Sequence, residues 1–253
     1  MEIRIAMWSG PRNISTALMR SWGSRPDTFV TDEPLYAHYL RETGAPHPGR
    51  EEVLRAHDSD WRRVTAWLSG PIPQGRAIWY QKHMAHHLLP HIGTGWLERM
   101  TNCFLIREPR EMLTSLVRVI PEPTLSDTGL PQQWDLFQRE WDRTGSRPPV
   151  LDARDVLEDP RAMLDRLCEA VGVSFRPEML SWAPGPRETD GVWARHWYEA
   201  VERSTGFEPY RPRVESVPAR LERLLEECQA LYTRLHRHRL LREGLPNAAE
   251  GEH

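Results

Sequence analysis

The chain of 253 residues contains little cysteine and no long hydrophobic run. Its three cysteines, Cys103, Cys168 and Cys228, lie far apart without Cys-x-x-Cys spacing, which argues against a disulfide framework or a zinc site and favours a reducing cytoplasm. No apolar stretch approaches the roughly 20 residues that cross a bilayer. The N-terminus begins as a strand rather than as a signal peptide. We therefore expect a cytoplasmic protein that does not enter a membrane.

An excess of positive charge is also missing. Lysine and arginine together number 33 against 36 acidic residues, so the net charge is -3. Such a chain has no general field that attracts polyanions, and any basic site must be local. The eleven tryptophans are expected in the core and in pocket walls rather than as a stacking platform for bases. We expect no nucleic-acid partner.

The most informative segment lies near the N-terminus. An apolar run from Ile3 to Trp8 is typical of a buried strand, it breaks at Gly10, and a helical pattern begins after Ser15 and Thr16. Such a unit directs backbone N–H groups, hydroxyls and the positive end of a helix dipole to one point, which favours a bound phosphate or sulfate. The alternative is an ordinary turn in which Ser15 or Thr16 caps the helix.

This loop lacks the lysine of a Walker A motif. After Gly10 the required Gly-Lys-Ser/Thr would begin at Ser15, and no lysine follows it. A magnesium-dependent NTPase is therefore disfavoured. Arg12 supplies the positive charge of the loop instead.

Strands alternate with helices along most of the chain. Further strand patterns cover 28–31, 77–80, 101–106 and 149–152, and helical patterns cover 51–68, 111–119, 161–171 and 217–241. This order predicts a three-layer α/β fold with a mostly parallel sheet between helices, in one domain over 1–243 with a polar, disordered tail over 244–253. Ligands bind at the carboxyl ends of such strands. We therefore expect the polar segments at 9–16, 81–83 and 107–115 to converge.

Three of these segments resemble a known family. They are the loop Pro11-Arg12-Asn13-Ile14-Ser15-Thr16, the segment Gln81-Lys82-His83 before Leu88-Leu89-Pro90, and the segment Arg107-Glu108-Pro109-Arg110 with Ser115. They are similar to motifs of the sulfotransferases, which transfer a sulfuryl group from 3′-phosphoadenosine 5′-phosphosulfate (PAPS) to a hydroxyl or amine. The resemblance implies the P-loop NTPase-like fold of that family, PAPS as co-substrate and no metal.

The resemblance also implies which residues bind the nucleotide. Arg12 would stabilise the leaving phosphate, and Asn13, Ser15 and Thr16 would complete the 5′-phosphate loop, although Asn13-Ile14 replaces the Ser-Gly of the family. Arg107 and Ser115 would bind the 3′-phosphate, the arginine as a bidentate fork and the serine as a hydroxyl donor. An ordinary helix start with surface arginines is the alternative for this second motif.

Two residues compete as the general base. His83 keeps the distance from Pro90 that the catalytic histidine of the family keeps from its proline, and it can take a proton near neutral pH. Glu33, followed by Pro34, resembles the glutamate-proline step of carbohydrate-type sulfotransferases. Both stay candidates, with His83 placed first. Lys82 would join Arg12 in offsetting charge on the transferring group.

Two weaker patterns complete the candidate site. Arg187, together with Gly191, Trp193 and His196 further on, is similar to the late segment of the family that closes over the 3′-phosphate and adenine. The same histidine region suggests a metal site as an alternative, because histidines recur every fourth residue from 83 to 91. Pro90 interrupts that helical spacing, and no carboxylate or cysteine joins the histidines.

Two other functions remain open at this stage. A small-molecule kinase with a modified phosphate loop would need acidic metal ligands, for which Asp152 is the candidate. A non-catalytic nucleotide-binding module would bind without turnover. The acceptor is expected to be a small molecule, with the loop over 120–131 and the segment after Pro177 lining its pocket, and a homodimer is left open.

Overall fold

Five strands carry the fold in the computed structural model, which describes residues 2–212 and 215–242. The strands are β1 (Ile3–Ser9), β2 (Thr28–Asp32), β3 (Ile78–Met84), β4 (Thr101–Ile106) and β5 (Val150–Asp152). They form one sheet in the order β2-β3-β1-β4-β5, and β2 with β3 and β4 with β5 pair in parallel. The predicted α/β fold with a parallel sheet flanked by helices is confirmed.

The helices follow the strands in the alternation that the sequence indicates. Those found in the described part of the chain are α1 (Ser15–Gly23), α2 (Tyr36–Thr43), α3 (Arg50–Ala56), α4 (Trp61–Leu68), α5 (Pro109–Leu116), α6 (Leu130–Thr144), α7 (Ala153–Glu158), α8 (Pro160–Ala170), α9 (Ala194–Trp197), α10 (Glu199–Arg203) and α11 (Glu222–His236). None of them is long and apolar enough to cross a bilayer.

Two boundaries differ from the sequence patterns for local reasons. The helical pattern over 51–68 divides into α3 and α4 because Asp60 starts a new helix, its side chain accepting a hydrogen bond from the Arg62 N–H at 3.0 Å. Strand β3 extends beyond the predicted 77–80 and includes Lys82 and His83. Since side chains alternate along a strand, Lys82 and His83 point to opposite faces of the sheet.

The described residues divide into two compact units. The first contains residues 2–7, 15–102 and 176–207, and the second contains residues 8–14, 103–175 and the described residues from 208 onward. In the first unit α1 packs on β2 and β3, where Trp22 stacks on Tyr80 with ring centroids 5.3 Å apart. In the second unit α11 packs on α5, α6 and β5. The single domain over 1–243 stays a prediction, and the tail over 244–253 lies outside the described residues.

Candidate active site

The phosphate-type loop is held tightly between β1 and α1. A Cβ atom on Gly10 would lie 2.3 Å from the Thr128 carbonyl oxygen, so only glycine fits this close approach. The Asn13 side chain accepts a hydrogen bond from the Ile14 N–H at 2.8 Å and donates one to the Leu105 carbonyl at 3.1 Å. These contacts fasten the loop to the carboxyl end of β4.

The left-handed residue of this loop is Arg12, with φ of 57°, rather than Ile14. The β-branched side chain that replaces the family glycine therefore carries none of the strain that a positive φ would impose on it. Ser15 and Thr16 form the first turn of α1, with Ser15 buried and Thr16 half-buried.

Four predicted nucleotide-binding residues come together in the second unit, and we call Arg12, Asn13, Arg107 and Ser115 the arginine cluster. Arg12 Nε donates to Ser115 Oγ at 2.8 Å, and Arg107 Nη1 donates to the Arg12 carbonyl at 2.9 Å. Arg12 thus links Ser115 and Arg107, and two guanidinium groups with a hydroxyl are a set of donors suited to a phosphate.

Sequence reasoning missed Glu111 in this cluster. Its Oε2 accepts two hydrogen bonds from the Arg107 guanidinium, at 3.0 and 3.2 Å, and its Oε1 accepts one from the Tyr210 hydroxyl at 2.6 Å. The i,i+4 spacing of Arg107 and Glu111 was a readable signal for this pair. A cavity of about 680 Å³ opens beside it, and Arg107, Arg118, Tyr210 and Arg211 are among its lining residues.

Arg187 is bound within its own segment of the first unit. Its N–H donates to Asp190 Oδ2 at 2.8 Å, and its guanidinium donates to the Ala183 carbonyl at 2.5 Å. Asp190 in turn forms a buried ion pair with Arg20 at 2.5 Å. The late motif is thus anchored on α1, and a role for Arg187 in nucleotide binding stays a prediction.

A second cluster of charged residues lies in the first unit, and we call Asp32, Glu33, Lys82 and Tyr198 the lysine cluster. The register of the sheet pairs Asp32 with Lys82 on adjacent strands. Lys82 Nζ donates to Asp32 Oδ1 at 2.8 Å, to Glu33 Oε1 at 2.6 Å and to the Tyr198 hydroxyl at 2.6 Å. Although burial opposes the charge, Asp32 and Glu33 raise the pKa of Lys82 well above its usual value. Lys82 is thus a buried, ionised ammonium.

The two candidate bases occupy different surroundings. His83 is buried, with its Nε2 3.2 Å from Gln81 Oε1, and burial lowers its pKa to about 3. Glu33 directly follows β2, its side chain is 11% exposed, and burial raises its pKa despite the nearby Lys82. A raised carboxyl pKa suits a general base near neutral pH, whereas a pKa of about 3 does not. The choice of base stays a prediction.

The histidines proposed as an alternative metal site do not share a helix. His83 lies in β3, His87 in the short 3-10 turn that follows it, and His91 in the subsequent loop. In residues 2–212 and 215–242 no group of three or more histidine, cysteine, aspartate or glutamate side chains is placed to hold a metal ion.

A family model described as a sulfotransferase domain matches residues 3–237. The chain belongs to the sulfotransferase family. Solved sulfotransferase structures share this fold: one from Alicyclobacillus acidocaldarius has a TM-score of 0.56 at 13% identity, covering 95% of this chain and 98% of the other. The sulfotransferase domain of the Synechococcus PCC 7002 olefin synthase has a TM-score of 0.51 at 18% identity, covering 89% and 94%.

Two curated relatives of this chain come from Arabidopsis thaliana. Branched-chain-amino-acid aminotransferase-like protein 1 is 35% identical over 237 residues, which is 92% of this chain and 42% of the relative. Branched-chain-amino-acid aminotransferase-like protein 2 is 33% identical over 251 residues, which is 97% of this chain and 44% of the relative. The chain thus spans less than half the length of these relatives.

Proposed function

We propose that this protein is a PAPS-dependent sulfotransferase that acts on a hydroxyl or amine of a small acceptor. The arginine cluster is the observation that carries the proposal. Arg12 bonds to Ser115 through its side chain and to Arg107 through its carbonyl, and Arg107 lines a cavity with further arginines. This donor set fits a nucleotide with two phosphate groups. Bound PAPS would supply an activated sulfuryl group with a phosphate leaving group.

Each cluster is assigned one half of the reaction. Arg12 and Asn13, with Ser15 and Thr16 at the start of α1, would hold the 5′-phosphosulfate, while Arg107 and Ser115 would hold the 3′-phosphate. Arg12 stays charged and offsets the charge that develops on the leaving phosphate, because a guanidinium does not give up its proton near neutral pH. Glu33 would take the proton of the acceptor. No step requires a metal ion.

A thermal-shift comparison tests the nucleotide class. We expect 3′-phosphoadenosine 5′-phosphate to stabilise the protein, while ATP with magnesium does not, because the loop offers arginines rather than a Walker A lysine. A shift with ATP and magnesium alone would favour the kinase alternative. Nucleotide binding without sulfuryl transfer to any acceptor would identify a non-catalytic module.

A pair of variants tests the assignment of the base. We expect Glu33→Gln to lower turnover by about 10²–10⁴ while leaving nucleotide affinity intact. His83→Gln serves as the comparison, because His83 is buried and bonded to Gln81. Full turnover in Glu33→Gln together with a large loss of turnover in His83→Gln would assign the role of general base to His83.

The aminotransferase-like names of the relatives suggest a second activity, which this chain supports poorly. Enzymes that use pyridoxal phosphate for amino transfer bind it through a lysine. The sequence contains a single lysine, Lys82, and its ammonium is buried and paired with Asp32 and Glu33. We assign no amino-transfer role to this chain.

The cellular compartment, the acceptor and the oligomeric state complete the proposal. The cysteines of the described residues are buried and free of disulfides, which is compatible with a reducing cytoplasm. A small acceptor and a homodimer stay predictions, and sedimentation of the purified protein measures the oligomeric state.

A further inference from the structure

The lysine cluster contains two carboxyl groups and one ammonium in a buried space. We propose that Asp32, Lys82 and Tyr198 act as positioning residues that leave Glu33 as the one carboxyl of the pair able to exchange a proton with the acceptor. This inference rests on the proposed function and assigns Lys82 a different role from contact with the transferring group.

Asp32 is the carboxylate that is already satisfied. Its Oδ1 accepts a hydrogen bond from Lys82 Nζ at 2.8 Å, and its Oδ2 accepts one from the Tyr198 hydroxyl at 2.7 Å and one from the Gly191 N–H at 3.1 Å. Hydrogen bonds to the charged form of a carboxyl favour that form. Both carboxylate oxygens of Asp32 are thus engaged in hydrogen bonds within the cluster.

Lys82 has no donor left for a substrate. An ammonium carries three N–H groups, and the three are directed at Asp32, Glu33 and Tyr198. The Tyr198 hydroxyl is fixed as well, because it donates to Asp32 and accepts from both Lys82 Nζ and Trp193 Nε1, the latter at 3.2 Å. All three N–H groups of Lys82 are thus engaged within the cluster.

Glu33 accepts fewer of the hydrogen bonds in this cluster than Asp32 does, although the Tyr198 hydroxyl also acts to lower its pKa. Its Oε1 accepts from Lys82 Nζ at 2.6 Å, and its Oε2 lies 3.9 Å from His87 Nδ1, a buried nitrogen without a hydrogen-bond partner among the described residues. Tyr36 stacks on the His87 ring with centroids 4.5 Å apart and fixes its orientation. Besides Asp32, Lys82 and Tyr198, the titratable side chains His87 and Tyr36 lie around Glu33. His57 interacts with Asp32, and Tyr39 and His86 contact the His87 ring.

The proton step follows from this difference. As the oxygen or nitrogen of the acceptor forms its bond to sulfur, its proton passes to the Glu33 carboxylate. The S–O bond to the nucleotide breaks, and its electron pair stays on the leaving phosphate. Because Asp32 and Glu33 share the positive charge of Lys82, that charge stabilises the Glu33 carboxylate less than it would alone. The Glu33 carboxylate therefore remains basic enough to accept that proton.

The single lysine allows a test that needs no turnover. Protein labelled with ¹⁵N-lysine gives one ammonium signal, from Lys82 Nζ, whose shift reports the ionisation of its partners. We expect one titration of this signal with pH in the wild type, abolished by Glu33→Gln. A titration that persists in Glu33→Gln would place the proton on another group of the cluster, such as Asp32 or His87, and overturn the inference.

Two further variants move that titration in opposite directions. In Asp32→Asn, Lys82 pairs with Glu33 alone, so we expect the titration to shift to lower pH by about one unit or more. In Tyr198→Phe, the carboxyl groups of the cluster lose a hydrogen-bond donor that lowers the pKa of Glu33, so we expect a shift to higher pH. Glu42→Gln, an exposed residue paired with Arg41, is the matched control and should leave the titration unchanged. Unchanged titrations in both cluster variants would overturn the inference.

Steady-state kinetics connect the cluster to the reaction. In Asp32→Asn the acidic limb of the kcat profile should move to lower pH together with the Nζ titration, with KM for the acceptor unchanged. A kcat profile that does not move while the Nζ titration does would remove Glu33 from the proton step. If the titrations behave as expected and no PAPS-dependent turnover exists, the proposed function fails while the division of roles within the cluster stands.

Discussion

Replacing Gly10 by alanine tests whether the loop between β1 and α1 must lie against the Thr128 carbonyl. The added Cβ would lie 2.3 Å from that oxygen, which belongs to the backbone and cannot rotate away. Overpacking of this kind costs about 1–3 kcal/mol. Since roughly 1 kcal/mol lowers the Tm of a domain of this size by about 2–4 °C, we expect a decrease of about 2–12 °C.

The same displacement should reach the arginine cluster, because Arg12 and Asn13 lie in this loop. We expect affinity for 3′-phosphoadenosine 5′-phosphate, measured by calorimetry, to fall by at least about tenfold, which corresponds to roughly 1.4 kcal/mol. Gly95→Ala is the matched control, because a Cβ atom there meets nothing within 4 Å. If Gly10→Ala matched Gly95→Ala in both Tm and affinity, the close approach would have no role in forming the site.

Two further predictions concern single side chains of the second unit. Arg107→Ala should weaken 3′-phosphoadenosine 5′-phosphate binding by about 10- to 150-fold, since charge-assisted hydrogen bonds contribute about 1.5–3 kcal/mol. The exposed Arg110→Ala is the control for the calorimetric measurement, and equal Kd values for the two variants would contradict the assignment. Burial raises the pKa of Asp152 from 3.8 to about 6, so the folded protein binds the proton of this carboxyl more tightly than the unfolded chain does. The resulting contribution to the free energy of unfolding is complete below the unfolded pKa and is lost as pH rises through about 6. Asp152→Asn keeps the cap of α7 and should flatten the dependence of urea stability on pH over that window; an unchanged slope would contradict the shift.

The fold was predictable because alternating apolar strands and amphipathic helices recur along the chain. The ends of elements were not, since they depend on single side chains. Asp60 restarts a helix within the 51–68 pattern. Strand β3 continues beyond residue 80 because Gln81 and Lys82 stay paired with Thr31 and Asp32 of β2. Pairing between distant segments decides such ends, and a local pattern does not contain it.

The candidate site was predictable in its residue types and less so in its contacts. Arg12, Arg107 and Ser115 were identified by motif spacing, and the structure joins them by hydrogen bonds. The different surroundings of Lys82 and His83 were not readable, because adjacent strand residues face opposite sides and the sequence does not say which side holds the carboxylates. The sheet register shows which side it is, because it places Asp32 beside Lys82.

Backbone conformation gives independent support for these candidates. Among the described residues, the non-glycine residues with positive φ are Arg12 at 57°, Glu33 at 38° and Gln74 at 57°. Such residues cost about 1–3 kcal/mol and persist where their surroundings hold them. Arg12 is held through Ser115, and Glu33 is held through its N–H bond to the Lys82 carbonyl at 2.9 Å and through Lys82 Nζ. Two of the three strained positions therefore coincide with the two roles proposed here, charge stabilisation and proton transfer, whereas Ile14 and His83 have no positive φ.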